Sequence, residues 1–284
     1  MVRKGVWDTT ARSVLACPAC GVQFLQPRMT PAEATAFYDS YEEYERKREP
    51  SPAEFDRKQE KEIESAARQL AFAAPQLRPG DTLCDIGASY GHFLRLARPK
   101  VASLVAVEPN PRSRAALTQL GARAYSWIEE LAREGVRLDA VAMFHTFEHL
   151  PEPLDFLATL RGVLNPQARL FLEVPNAQDA LITLYALEVF RDFYYQSMHC
   201  YYYDAASLTY VLARGGFTPL AVKHIQRYSI GNHLQWLARG VPGGNAELDC
   251  LFQPLDAPYR SLLCGQQMSD TLLAAFQLDS GAPP

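Results

Sequence analysis

Between residues 80 and 225 the chain alternates short apolar runs with amphipathic stretches. The apolar runs Thr82–Ile86, Leu104–Glu108, Leu138–Phe144 and Leu170–Val174 predict strands, with a weaker one near Ala122–Tyr125. Between them, His92–Arg98, Pro111–Leu120 and Pro153–Leu164 predict helices. Such alternation predicts an α/β fold with a doubly wound, Rossmann-like sheet. Ahead of it runs a charged amphipathic helix over Ala53–Ala74, stopped by Pro75 and Pro79-Gly80. Beyond it come an aromatic-rich helix over Ala180–Tyr195, a helix closed by Gly215-Gly216-Phe217, a sixth strand over Leu220–His224 and a last helix over Ser269–Leu278. The pattern divides into an N-terminal appendage (1–50), a sheet domain (51–228) and a C-terminal extension with helical additions (229–284).

The first strand opens into Gly87-Ala88-Ser89-Tyr90-Gly91, and the next helix starts at His92. Glycines at a strand-to-helix turn let backbone come close to a ligand, because a side chain there would collide with it. Asp85 stands near the end of this strand, and Glu108 ends the second, at the distance where such folds hold ribose hydroxyls. The glycine turn alone is a weak signal; with two strands and a terminal carboxylate it is a strong one. Ligands of doubly wound sheets sit at the carboxyl ends of the strands, where these residues fall.

Composition narrows the function further. A chain of 284 residues, 48% hydrophobic and 21% charged, suits a globular enzyme with a sizeable core. Its net charge of −4 offers no broad attraction to nucleic acid or to an anionic membrane, so neither is expected as a partner. The six cysteines are scattered, and with no apolar signal-like run at the N-terminus they point to a reducing cytoplasm. Cys17 and Cys20 form half of a zinc knuckle, whose metal needs four ligands; no second pair is nearby, so zinc is not expected. His145 and His149 bracket Glu148, but HTFEH is not the metalloprotease pattern H-E-x-x-H, and no metal is expected there either.

The segment LCDIGASYGHFL with the following acidic strand end resembles motif I and the acidic loop of class I S-adenosylmethionine-dependent methyltransferases. GASYGH lacks the second glycine of a dinucleotide-binding dehydrogenase, which favours methyl transfer over hydride transfer. The resemblance implies a seven-stranded sheet and S-adenosylmethionine as cofactor, leaving as S-adenosylhomocysteine. It also implies cofactor contacts from Asp85, Gly87, Ala88, Gly91, Glu108, Pro109, Ser126, Trp127, Phe144 and His145.

The run from Ala16 through Tyr44 is similar to part of the N-terminal module of sugar C-methyltransferases, and His199 ahead of Tyr201-Tyr202 matches a histidine–aromatic pattern there. This likeness implies a sugar-type acceptor in carbohydrate or natural-product biosynthesis. His199 is then the base, with Tyr202 or Tyr41 polarising the acceptor oxygen. Tyr38, Asn176, Asn232 and His233 are candidates for binding the acceptor. Two alternatives stay open: a small aromatic or amino acceptor, suggested by the aromatic residues of 185–203, and a non-enzymatic protein with a degenerate site. A monomer or a homodimer is expected.

Overall fold

The computed structural model describes residues 2–3, 12–28, 30, 32, 33 and 52–279. Tyr38 and Tyr41 lie outside these residues. At the N-terminus, β1 (Val2–Arg3), β2 (Arg12–Ala16) and β3 (Gln23–Gln26) form an antiparallel meander. Then come α1 (Pro52–Ala73), β4 (Thr82–Ile86), α2 (His92–Ala97), β5 (Ser103–Val107) and α3 (Pro111–Gln119). These are followed by β6 (Arg123–Tyr125), α4 (Ile128–Arg133), β7 (Leu138–Phe144), α5 (Pro153–Arg161) and β8 (Leu164–Pro175). Two short helices, α6 (Ala180–Thr183) and α7 (Glu188–Tyr194), lead to β9 (Tyr201–Tyr202). The chain continues through α8 (Ala205–Arg214), β10 (Phe217–Ile225), α9 (Ile230–Arg239), α10 (Ala246–Gly265) and β11 (Thr271–Leu278).

Seven strands make the central sheet, in the order β10-β11-β8-β7-β4-β5-β6. β4 runs parallel to β5 and β7, and β5 to β6. Leu83 and Cys84 of β4, Val105 and Ala106 of β5 and Ala140–Met143 of β7 are fully buried. Strands buried on both faces read as unbroken apolar runs, which is why sequence alone placed them. The register pairs Ile86 with Val107, so Gly87 and Glu108 emerge side by side at the same sheet end. A second, four-stranded sheet joins the meander to β9, through Gln23 opposite Tyr202 and Phe24 opposite Tyr201. Among the described residues no helix is long and apolar enough to cross a membrane.

Two predicted helices need correction. Residues 271–278 form β11, a strand inside the sheet. Thr271 to Phe276 are all buried, and a strand covered on both faces loses the alternation that marks strands. The aromatic stretch 180–195 is two helices, separated near Ala186, whose φ of +49° is left-handed. The unpredicted α10 carries Pro254 and Pro258 inside it, residues that ordinarily argue against a helix.

The chain falls into two compact units, neither contiguous in sequence. One comprises residues up to Arg28, His145–Leu154 and Leu172–Phe276; the other comprises Met29–Phe144, Asp155–Phe171 and Gln277–Pro284. In the first, Leu25, Phe190, Tyr194, Tyr195, Tyr202 and Trp236 share one core cluster. The second is braced at the sheet's other end by a buried ion pair, Arg169 Nη2 to Asp81 Oδ1 at 2.8 Å.

Candidate active site

In the second unit the glycine turn and the end of β5 are knitted together by Glu108. Its Oε2 accepts the Ser89 N–H at 2.9 Å, and its Oε1 accepts the Asn110 N–H at 2.9 Å. The Gly87 N–H donates to Val107 O at 2.8 Å, tying the first residue of the turn to the neighbouring strand. Gly87, Ser89 and Gly91 all have positive φ, so every second residue of the turn is left-handed. The two glycines do different work. Gly87 is exposed, whereas Gly91 is buried, starts α2, and would place a Cβ only 2.7 Å from Leu117 Cδ2. Gly91 is therefore required by packing against α3.

Asp85 is buried beneath the turn; burial, with the Glu108 charge added, pushes its carboxyl well above the usual range. The Asn110 side chain caps α3 by accepting the Arg112 and Ser113 N–H groups, and Arg114 Nη1 donates to the carbonyls of Glu108 and the exposed Pro109. Ala88 is buried, Ser126 half-buried, and Trp127 is 59% exposed at the start of α4. Phe144, half-buried, meets Phe93 edge to face with ring centroids 4.9 Å apart. These residues fit a nucleoside cofactor by their donor set. Each Glu108 oxygen uses one lone pair on a backbone N–H and keeps another for a hydroxyl. The exposed rings of Trp127 and Tyr90 (50% exposed) offer faces for a base.

The first unit holds a cluster of ionisable groups by itself. His145 has φ +52° and its N–H donates to Glu173 O at 2.7 Å. Its ring lies 3.4 Å from Glu148 Oε1 through Nδ1, with Nε2 3.6 Å from Glu173 Oε1 and 3.1 Å from Arg227 Nη1. Burial opposes a charge on this ring, but the two carboxylates outweigh it and hold the pKa up at about 9. Arg227 in turn donates to Asp270, from Nε to Oδ1 at 3.0 Å and from its N–H to Oδ2 at 2.6 Å. Glu173 and Asp270 were not among the predicted residues. The available signal was a carboxylate inside the apolar run LFLEVP, which a buried strand carries only with a partner.

His199 sits edge to face with His149, ring centroids 4.7 Å apart. Burial, against the attraction of Glu148, pulls its pKa down to about 4. A group that weakly basic is poorly matched to general-base work at neutral pH. The Tyr202 ring is 1% exposed, its hydroxyl donates to Gln196 O at 2.8 Å, and burial pushes its pKa well up. Asn176 is fully buried. Its amide donates to Gln267 O and Ser269 O, and its Oδ1 accepts the Gln178 N–H, so it pins a loop. His233 is 2% exposed between Tyr259 Oη (2.7 Å from Nδ1) and Gln226 Nε2 (3.2 Å from Nε2), and burial lowers its pKa to about 4. Asn232 is half-buried beside it on α9. Cys17 and Cys20 are free thiols in a tight turn closed by Gly21 N–H to Cys17 O. Among the described residues, neither belongs to a group of three or more side chains able to hold a metal.

A family model described as a methyltransferase domain matches residues 55–222. No curated protein matches the chain. Among solved structures, a SAM-dependent methyltransferase from Archaeoglobus fulgidus superposes with a TM-score of 0.53 at 17% identity, over 76% of this chain and 94% of the other. A Haloferax volcanii complex of a methyltransferase with its Trm112 activator gives 0.55 at 14% identity, over 80% and 95%. At these identities the likeness is one of fold.

Proposed function

Because the chain belongs to the methyltransferase-domain family, we propose that it moves the methyl group of S-adenosylmethionine to a hydroxyl of a sugar-type acceptor. The cofactor supplies an activated methyl on sulfur, and the chain's own task is alignment. Glu108, with its two spare lone pairs, holds the ribose hydroxyls; Trp127 and Ser126 border the base; the turn 87–91 takes the remainder. In-line displacement draws on orientation, which can supply about 7–11 kcal/mol of barrier lowering.

The choice of acceptor rests on one observation: the chain's first unit gathers a charged, hydrogen-bonding cluster, with Glu173 and Asp270 buried and His145 and Arg227 partly exposed. A polyhydroxylated acceptor can add hydrogen bonds to the partly exposed His145 and Arg227, which an apolar one cannot. Of the aromatic residues that suggest the aromatic alternative, Phe190, Tyr194, Tyr195 and Tyr202 share one core cluster with Trp236.

Two measurements test the reading. Calorimetric titration with S-adenosylhomocysteine is expected to show micromolar binding, weakened at least tenfold by Glu108→Ala. Labelled methyl transfer across nucleotide sugars, glycosides, catechols and amines is then expected to favour the sugars. Transfer confined to catechols or amines would overturn the acceptor assignment and leave the cofactor site intact.

A further inference from the structure

Glu148, His149 and His199 place their ligand atoms within 4.8 Å of one another. The Glu148 side chain is 2% exposed and neither of its oxygens has a hydrogen-bond partner; His145 Nδ1 stands off at 3.4 Å. The His145 ring faces Oε1 only, and Oε2 is left buried without a partner, which is costly unless a cation compensates it. His149 Nδ1 lies 3.1 Å from Met198 O. A carbonyl only accepts, so Nδ1 carries the hydrogen and Nε2 keeps its lone pair, the arrangement in which histidine ligates metals. His199 Nδ1 is likewise buried without a partner. The two ligand-bearing segments are tied by Cys200 N–H to Glu148 O at 2.8 Å, which fixes the spacing of the three groups through backbone.

We propose that Glu148, His149 and His199 form a site for one divalent transition-metal cation of the zinc class. Two imidazoles and one carboxylate suit zinc, iron(II), cobalt(II) or manganese(II), whereas magnesium and calcium prefer all-oxygen surroundings. Three protein ligands leave a coordination position open. The site stands on its own geometry. Only its use rests on the methyl-transfer reading: an acceptor hydroxyl in the open position would give up its proton more readily.

The test starts from protein stripped with a chelator and titrated with cobalt(II) and with zinc(II), by visible absorption and calorimetry. One equivalent per chain is expected, with d–d bands and no thiolate-to-cobalt charge-transfer band. Affinity should fall at least tenfold in Glu148→Gln and in His199→Ala, and should be unchanged in Cys17→Ser/Cys20→Ser. The wild-type spectrum decides the matter even if a variant fails to fold. No uptake by the wild type would overturn the proposal. So would a thiolate band, loss of uptake in the double cysteine variant, or wild-type affinity in Glu148→Gln and His199→Ala. S-Adenosylhomocysteine binding, measured in parallel without metal, reports on the cofactor site separately.

Discussion

Gly91→Ala should destabilise the protein through two terms that can be separated. A non-glycine residue at φ +76° pays about 1–2 kcal/mol for the left-handed conformation. The added Cβ would also stand 2.7 Å from Leu117 Cδ2 and 3.2 Å from Leu120 Cδ2. Leu117 is fully buried, so relief requires repacking beneath α3, at about 1–3 kcal/mol. The sum is about 2–5 kcal/mol. Gly135 is the internal control: its φ is +66° and nothing lies within 4 Å of an added Cβ. Gly135→Ala should therefore cost only the conformational term, about 1–2 kcal/mol. Urea denaturation followed by intrinsic fluorescence would give both values, and the difference between the variants is the steric term. Equal losses in the two variants would refute the claim that Gly91 answers to Leu117.

Trp127→Ala removes a ring that is 59% exposed, so stability should change by less than about 0.5 kcal/mol while S-adenosylhomocysteine affinity falls several-fold in calorimetry. Asp81→Ala leaves the Arg169 guanidinium buried with only the Gln76 and Asp139 carbonyls, and denaturation should show a loss of about 3 kcal/mol or more. Asp179 has its pKa raised to about 7, by burial first and by Asp270 second. The folded state thus holds its proton where the unfolded chain has released it, and stability falls as pH rises from about 4 to 7. Asp179→Asn keeps the oxygen that accepts the Leu181 N–H and should flatten this part of the pH–stability curve; an unchanged slope would show the proton to be elsewhere.

The sheet's parallel half was legible because its strands are uninterrupted apolar runs between amphipathic helices, as in Leu83–Ile86 and Leu104–Val107. The glycine turn and Glu108 were legible because their spacing is local. Other features were not, for identifiable reasons. Leu272 to Phe276 could be a helix or a buried strand by pattern alone, and only tertiary pairing decides. Pro254 and Pro258 concealed a helix of 20 residues. At the candidate site, His145, Glu173, Arg227 and Asp270 come from four distant segments, and nothing in their spacing announces a cluster. Tyr202 is read from a resemblance and Asn176 from its place at a strand end, and neither signal reveals the burial and hydrogen bonds that these residues and His233 have.

β11 lies between β8 and β10 although it follows both in the chain, and this sets a condition on biosynthesis. As the polypeptide leaves the ribosome, every other strand of the sheet has emerged before Thr271–Leu278. Until that segment is free, β8 and β10 lack their common neighbour, and both present unpaired backbone that invites pairing with other chains. A nascent chain paused within α10 would be held in that state. Completion of the sheet therefore waits for this strand, and the interval before it is when β8 and β10 are most open to mispairing.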